Sequence, residues 1–319
     1  MKPMSVSAKL SILIVFALLF GATMIALSVR GRTSHTEESL DWGKDNTITK
    51  SFAVKAGDKL VLDADQGDVV ISGTDSEELN VKVLQKGSDS ELKKFHVNFD
   101  QSDGIVSIKA RHERRYFQFF DNSWLNVRFE IELPKNFNLD LQTAGGDLSV
   151  RNVRGTVVGE TSGGDVEAET VDGKIKLSTA GGNVKLFAAN GEFALSTSGG
   201  NITGEDITGS TRAETSGGNI IFKRADGSLH AETSGGDIRV ELKDNKGVDL
   251  STSGGNVAVS LPKSITADVR AETTGGDVSC DFPFSGKLKE SSLNGKINGG
   301  GQLIRLESSG GDIVIHAVE

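Results

Sequence analysis

A glycine pair that returns at a fixed interval constrains this chain more than any other feature. "TAGGD" at Thr143, "TSGGD" at Thr161, "TAGGN" at Thr179, "TSGGN" at Thr197, "TSGGN" at Thr215 and "TSGGD" at Thr233 follow one another at steps of eighteen residues. "TSGGN" at Thr252, "TTGGD" at Thr273 and "SSGGD" at Ser308 continue the series at looser spacing, with a degenerate "SLNGK" from Ser292 before the last. Halfway between lie "NVRGTV" at Asn152, "TVDGKI" at Thr170, "AANGEF" at Ala188, "DITGST" at Asp206 and "RADGSL" at Arg224, each nine residues after a glycine pair. The unit is therefore nine residues long in two alternating versions. A short fixed period means equivalent units stacked so that each covers its neighbour's apolar face.

Within each unit, apolar and polar residues alternate. Val166, Ala168 and Thr170 are separated by Glu167 and Glu169, and Ile175, Leu177 and Thr179 by Lys176 and Ser178. Val184, Leu186 and Ala188, then Phe193, Leu195 and Thr197, repeat the pattern. Period-two alternation predicts short strands with one buried face. The remaining residues make the turn, and the glycine pair is read as supplying its positive-φ positions. Two architectures fit: a solenoid coiling once per eighteen residues, or an antiparallel meander reversing every nine. The meander would leave its apolar face open, because no second layer follows residue 140. The solenoid is favoured, with roughly nine or ten coils from Thr143 onward and a rod of about 45 Å. Residues 139–319 are assigned to it, and residues 47–138 to an irregular N-terminal β region or cap. In that region "ADQGDVVISG" from Ala64 already looks like one repeat.

"LVLDADQGDVVISGTDSEELNVKV", "IELPKNFNLDLQTAGGDLSV" and the serial "TSGGDV/TSGGNI" units resemble an adhesin-like bacterial family of β-strand-repeat proteins, a domain of unknown function. The resemblance spans residues 47–319. It implies a β-solenoid and a cell-envelope setting, and brings no catalytic set and no ligand.

Leu10–Val29 holds no charged residue, between Lys9 and Arg30. About twenty apolar residues suffice to span a bilayer as a helix, so residues 1–30 read as an N-terminal membrane anchor or signal segment. Ala26-Leu27-Ser28 is an acceptable cleavage site, but the apolar run is longer than most signals, which favours an uncleaved single-pass anchor. Either reading exports the β-rich part to the periplasm or cell surface. Residues 31–46 are polar and read as a linker. A net charge of −9 without a basic tract gives no electrostatic basis for nucleic-acid binding. The single cysteine, Cys280, allows no intramolecular disulfide.

The usual chemical motifs are not met. The calcium-binding nonapeptide repeat needs a third glycine that these units lack. In a solenoid Asp147, Asp165, Asn183, Asn201, Asn219, Asp237, Asn256 and Asp277 would form one column, read as turn chemistry and amide stacking rather than a cation site. "DGKIK" and "NGKIN" place isoleucine where a phosphate loop needs a hydroxyl. No GxSxG elbow occurs. His35, His96, His112, His230 and His316 lack paired zinc spacing, and His230 reads as a solvated wall residue. Cys280 reads as a small core residue. Glu167 and Glu169 read as surface charge, with Lys185 beside Glu167 on the next coil. No catalytic, metal-binding or cofactor-binding residue is assigned and no cofactor is expected.

"RHERRYFQFFDNSWLNVRF", from Arg111, departs from the repeat and concentrates Tyr116, Phe117, Phe119, Phe120 and Trp124 beside Arg111, Arg114 and Arg115. It reads as a plug over an open solenoid end, or as an interaction loop for a partner, glycan or lipid headgroup. The chain ends in "SSGGDIVIHAVE", and an uncovered last strand would be an edge for self-association or partner capture. The expectation is a non-enzymatic, membrane-anchored cell-envelope β-solenoid, adhesin-like or scaffolding, with an envelope protein or glycan as partner. The alternatives are a solenoid carbohydrate-active enzyme using wall carboxylates, and a membrane-tethered envelope sensor or assembly factor.

Overall fold

The computed structural model describes residues 44–113 and 124–319. The chain enters through β1 (Lys44–Ala53), β2 (Lys59–Ala64), β3 (Asp68–Thr74) and β4 (Glu78–Gly87). A short helix α1 (Asp89–Lys94), β5 (Phe95–Ser102), β6 (Ile105–His112), β7 (Leu125–Pro134) and β8 (Asn138–Thr143) follow. The eighteen-residue period then produces β9 (Leu148–Thr161), β10 (Val166–Thr179), β11 (Val184–Thr197), β12 (Ile202–Thr215) and β13 (Ile220–Thr233). Next come β14 (Ile238–Thr252), β15 (Val257–Pro262), β16 (Ala267–Thr273) and β17 (Val278–Cys280). β18 (Phe284–Lys289), β19 (Ser292–Ile297), β20 (Leu303–Ser308) and β21 (Ile313–Val318) complete the chain.

Register decides between the two architectures. Val166 lies between Leu148 and Val184, and Ile175 between Val157 and Phe193, all in parallel. A meander would pair its neighbours antiparallel, so this is a solenoid in which each long strand bends to supply one leg to each of two walls. The inward residues of both walls form one continuous apolar core. Packing is complementary from coil to coil: Gly204 leaves the space filled by Phe222, whose ring would lie 2.3 Å from a Cβ at position 204.

The bend is where simple alternation fails. Thr170 (φ 55°) and Ala188 (φ 49°), like Asn152, Asp206 and Arg224, are left-handed. That conformation reverses the phase, so Thr170 and Ala188 are exposed, and Val171 and Ala189 enter the core instead. The left-handed residue is followed three positions later by a positive-φ glycine, as at Gly173 and Gly191.

The glycine pairs at the other corner are not left-handed, which corrects the reading of them as positive-φ turns. Their second member is required by close approach. A Cβ on Gly200 would lie 1.9 Å from the carbonyl oxygen of Gly182 one coil below, whereas one on Gly199 would be 3.7 Å from its nearest neighbour. The threonine before each pair is buried and joins the same two coils. Thr197 Oγ1 donates to the Gly182 carbonyl at 2.8 Å and accepts from the Gly200 N–H at 3.2 Å. The Asp or Asn after each pair forms the expected column. Each side-chain oxygen accepts the backbone N–H of the equivalent residue one coil on, as from Asn183 to Asp165 and from Asn219 to Asn201, both at 2.8 Å. The column starts lower than expected, at Asp68, and Asp312 stands between Asn256 and Asp277.

Chain order and spatial order diverge at both ends. β2 lies between β6 and β8, and β3 between β7 and β9. The solenoid walls thus begin within residues 47–138, which are not a separate cap. At the other end β20 is inserted between β14 and β16, and β21 between β15 and β17. The expectation of an open C-terminal edge is therefore corrected: the last strand is paired on both sides. The outermost ladder at that end is the antiparallel pair β18–β19, with β19 against β16. Among the described residues no helix is long and apolar enough to cross a membrane, and the segment 10–29 lies outside them.

Candidate functional site

The outward positions of the wall built from the second legs form two facing columns. Arg212, His230, Asp249, Arg305 and Arg270 are successive neighbours in one, and Glu214, Glu232, Ser251, Glu307 and Glu272 in the other. Residues two apart in a strand share a face, so each member of the first column stands beside one of the second. Arg305 donates to Glu307 at 2.6 and 2.8 Å, and Arg212 pairs with Glu214.

His230 breaks this run of charge pairs. Its Nδ1 lies 3.5 Å from Asp249 Oδ2 on the next coil, and its Nε2 lies 3.9 Å from Glu232 Oε2. Nε2 is buried and makes no hydrogen bond. Ligating atoms of Glu214, His230 and Glu232 all lie within 4.8 Å of one another. Leu303 is 38% exposed and, with Arg305, lines the same shallow groove as Arg212, His230 and Asp249.

A second charge cluster occupies the left-handed corner. Arg224 donates to Asp206 at 2.9 and 2.6 Å and to Glu205 at 2.6 Å, while Lys243 reaches Asp206 at 3.0 Å. Hydrogen bonds from Arg224, then from Lys243, hold the Asp206 carboxyl well below the usual carboxylate range. The cluster is solvated and ties successive corners.

Other residues singled out in the sequence are dispersed. Glu167 and Glu169 both pair with Arg151, at 3.1 and 3.2 Å, and Glu167 neighbours Lys185 as expected. His96 meets Glu113 and His316 meets Asp281, each at 3.1 Å. His112 meets the buried Glu91 at 2.7 Å. Cys280 is half-buried, and burial pushes its thiol up, away from the reactive thiolate. Of the aromatic segment, Trp124 is 43% exposed, while Tyr116, Phe117, Phe119 and Phe120, with His35, lie outside the described residues.

The Glu214–His230–Glu232 grouping escaped the sequence reading because metal-type spacing was sought along the chain. The period contains the missing signal. In parallel stacking a residue neighbours the one eighteen positions away, so Glu214 and Glu232 are stacked with His230 two positions before the latter.

The family model described as Toastrack DUF4097 matches residues 57–316. No curated protein matches the chain. Among solved structures it is similar to an adhesin candidate from Parabacteroides distasonis ATCC 8503, at 12% identity, 84% coverage of this chain, 97% of that one and a TM-score of 0.49. An adhesin candidate from Bacteroides fragilis NCTC 9343 is 14% identical, with 86% and 97% coverage and a TM-score of 0.38. A candidate lipid-binding protein from Parabacteroides distasonis ATCC 8503 is 14% identical, with 87% and 98% coverage and a TM-score of 0.42.

Proposed function

We propose, for a chain that belongs to the Toastrack DUF4097 family, a non-enzymatic role as a membrane-anchored, adhesin-like or scaffolding protein of the cell envelope. The observation that carries this reading is how the repeated polar side chains are used. The threonine hydroxyl and the Asp or Asn side-chain oxygen of each glycine corner bond to the neighbouring coil. Groups so engaged serve the rod rather than a substrate. The outward columns of charged side chains remain as the surface offered to partners, with residues 10–29 holding the rod at the membrane. Wall carboxylates such as Glu167, Glu169 and Glu307 are neutralised by adjacent arginines, an arrangement suited to a solvated wall.

The test uses the full chain in detergent micelles, immobilised and exposed to purified envelope glycans and to solubilised envelope proteins. Saturable retention of one glycan or protein supports the proposal. New reducing ends in the glycan fraction, lost on replacing wall carboxylates by amides, would establish the solenoid hydrolase instead.

A further inference from the structure

We infer that Glu214, His230 and Glu232 form a site for a divalent ion of the zinc class that clips together successive coils of the solenoid. The inference is independent of the scaffold reading, since it rests on the ligand set alone.

Backbone register creates the geometry. β12 and β13 are parallel, with Glu214 opposite Glu232 and Arg212 opposite His230. Two glutamates stacked at strand spacing repel each other, and a bound cation relieves that repulsion. The three potential ligating atoms lie within 4.8 Å of one another. Zinc bonds of about 2.0–2.2 Å require tetrahedral ligands to stand about 3.4 Å apart. Glu232 is an exposed side chain with 60% of its surface free, so rotation about its own χ angles can close that difference without moving the coils.

The histidine is poised for the role. A metal-binding imidazole is commonly oriented by a carboxylate on its other ring nitrogen. Here Asp249 Oδ2 stands 3.5 Å from Nδ1, on the far side from the glutamates. The opposite nitrogen, Nε2, is buried, makes no hydrogen bond and faces Glu232. With its proton on Nδ1, the ring presents the Nε2 lone pair to the two carboxylates, and Asp249 ties a third coil to the site.

Donor chemistry selects the ion. Calcium and magnesium take all-oxygen shells, whereas one imidazole nitrogen with two carboxylates suits zinc and its transition-metal neighbours. Two carboxylates balance the dication. Three protein ligands on an open wall leave a fourth position for water or for a donor from a partner. Arg212, which pairs with Glu214, is the competitor: it neutralises that carboxylate without the ion and must release it when the ion binds.

The experiment strips the full chain in detergent with a chelator and dialyses it against zinc sulfate. Bound zinc is counted by elemental mass spectrometry, and affinity is read by competition with a chromophoric chelator. The parent is expected to hold one more zinc ion per chain than His230→Gln. Glu214→Gln and Glu232→Gln should weaken binding more than tenfold, and Asp249→Asn by about 10–100-fold. Arg212→Gln should tighten it. Excess calcium or magnesium should not displace the zinc. Circular dichroism of the stripped variants confirms that each is folded. Equal zinc content in parent and His230→Gln, displacement by calcium, or weaker binding in Arg212→Gln would each overturn the proposal.

Discussion

Alanine at Gly200 and alanine at Gly199 should shift stability in opposite directions. A Cβ on Gly200 would lie 1.9 Å from the Gly182 carbonyl oxygen, about 1.6 Å inside normal contact. Relief requires the two coils to separate locally or the carbonyl to turn. Either motion disturbs the hydrogen bond that Thr197 Oγ1 gives to that oxygen at 2.8 Å. Loss of one such bond costs about 1 kcal/mol, and overpacking adds about 1–3 kcal/mol. The total is about 2–4 kcal/mol, a fall in melting temperature of about 4–16 °C for a domain of this size. At Gly199 the nearest neighbour to a Cβ is 3.7 Å away and φ is not positive. Alanine there mainly restricts the unfolded chain, which stabilises by about 0.4–1 kcal/mol. Thermal melts followed by far-ultraviolet circular dichroism, on the full chain in detergent, read both changes. If Gly200→Ala melts with the parent, or both variants lose stability equally, close approach of the coils is not what requires the second glycine.

Thr197→Val removes a buried hydroxyl that joins Gly182 and Gly200, and should cost about 1–3 kcal/mol in chemical denaturation despite the similar shape. Ala188→Gly should stabilise by about 0.5 kcal/mol, because release from a left-handed φ of 49° outweighs the entropy cost of glycine; a clear loss in the same assay would show that no strain is held at that corner. Glu91 is buried, and hydrogen bonds from Lys94, then His112, lower its pKa below the ordinary 4.5. A depressed folded pKa stabilises above the unfolded value, and that stability is lost as pH falls through the folded value. Glu91→Gln should therefore be less stable than the parent at pH 7, with the difference shrinking below about pH 4.5; a gap independent of pH would separate the effect from ionisation.

The candidate site was only partly legible because sequence distance hides stacked neighbours. His230 reads alone as a polar residue on the outward phase, and so it is. Its meaning changes once Glu214 arrives from the coil below and Asp249 from the coil beyond. The same limit explains the phase error at Thr170 and Ala188. Strict alternation assumes extended backbone, and one left-handed residue per coil rotates everything after it.

The repeat and its alternation were enough, without coordinates, to establish an all-β chain of eighteen-residue coils with Val166, Ile175, Leu186 and Phe193 inside. They also placed the Asp and Asn residues in one column, because a fixed period leaves equivalent residues no other location. What tertiary structure alone decided was order and reason. The sequence pattern cannot show that β2–β3 and β20–β21 are inserted between coils that follow or precede them in the chain, since any coil with the same apolar edge satisfies its neighbours. Nor can it show why glycine is doubled. The second glycine answers to a carbonyl oxygen eighteen residues away, and that contact exists only when one coil rests on another.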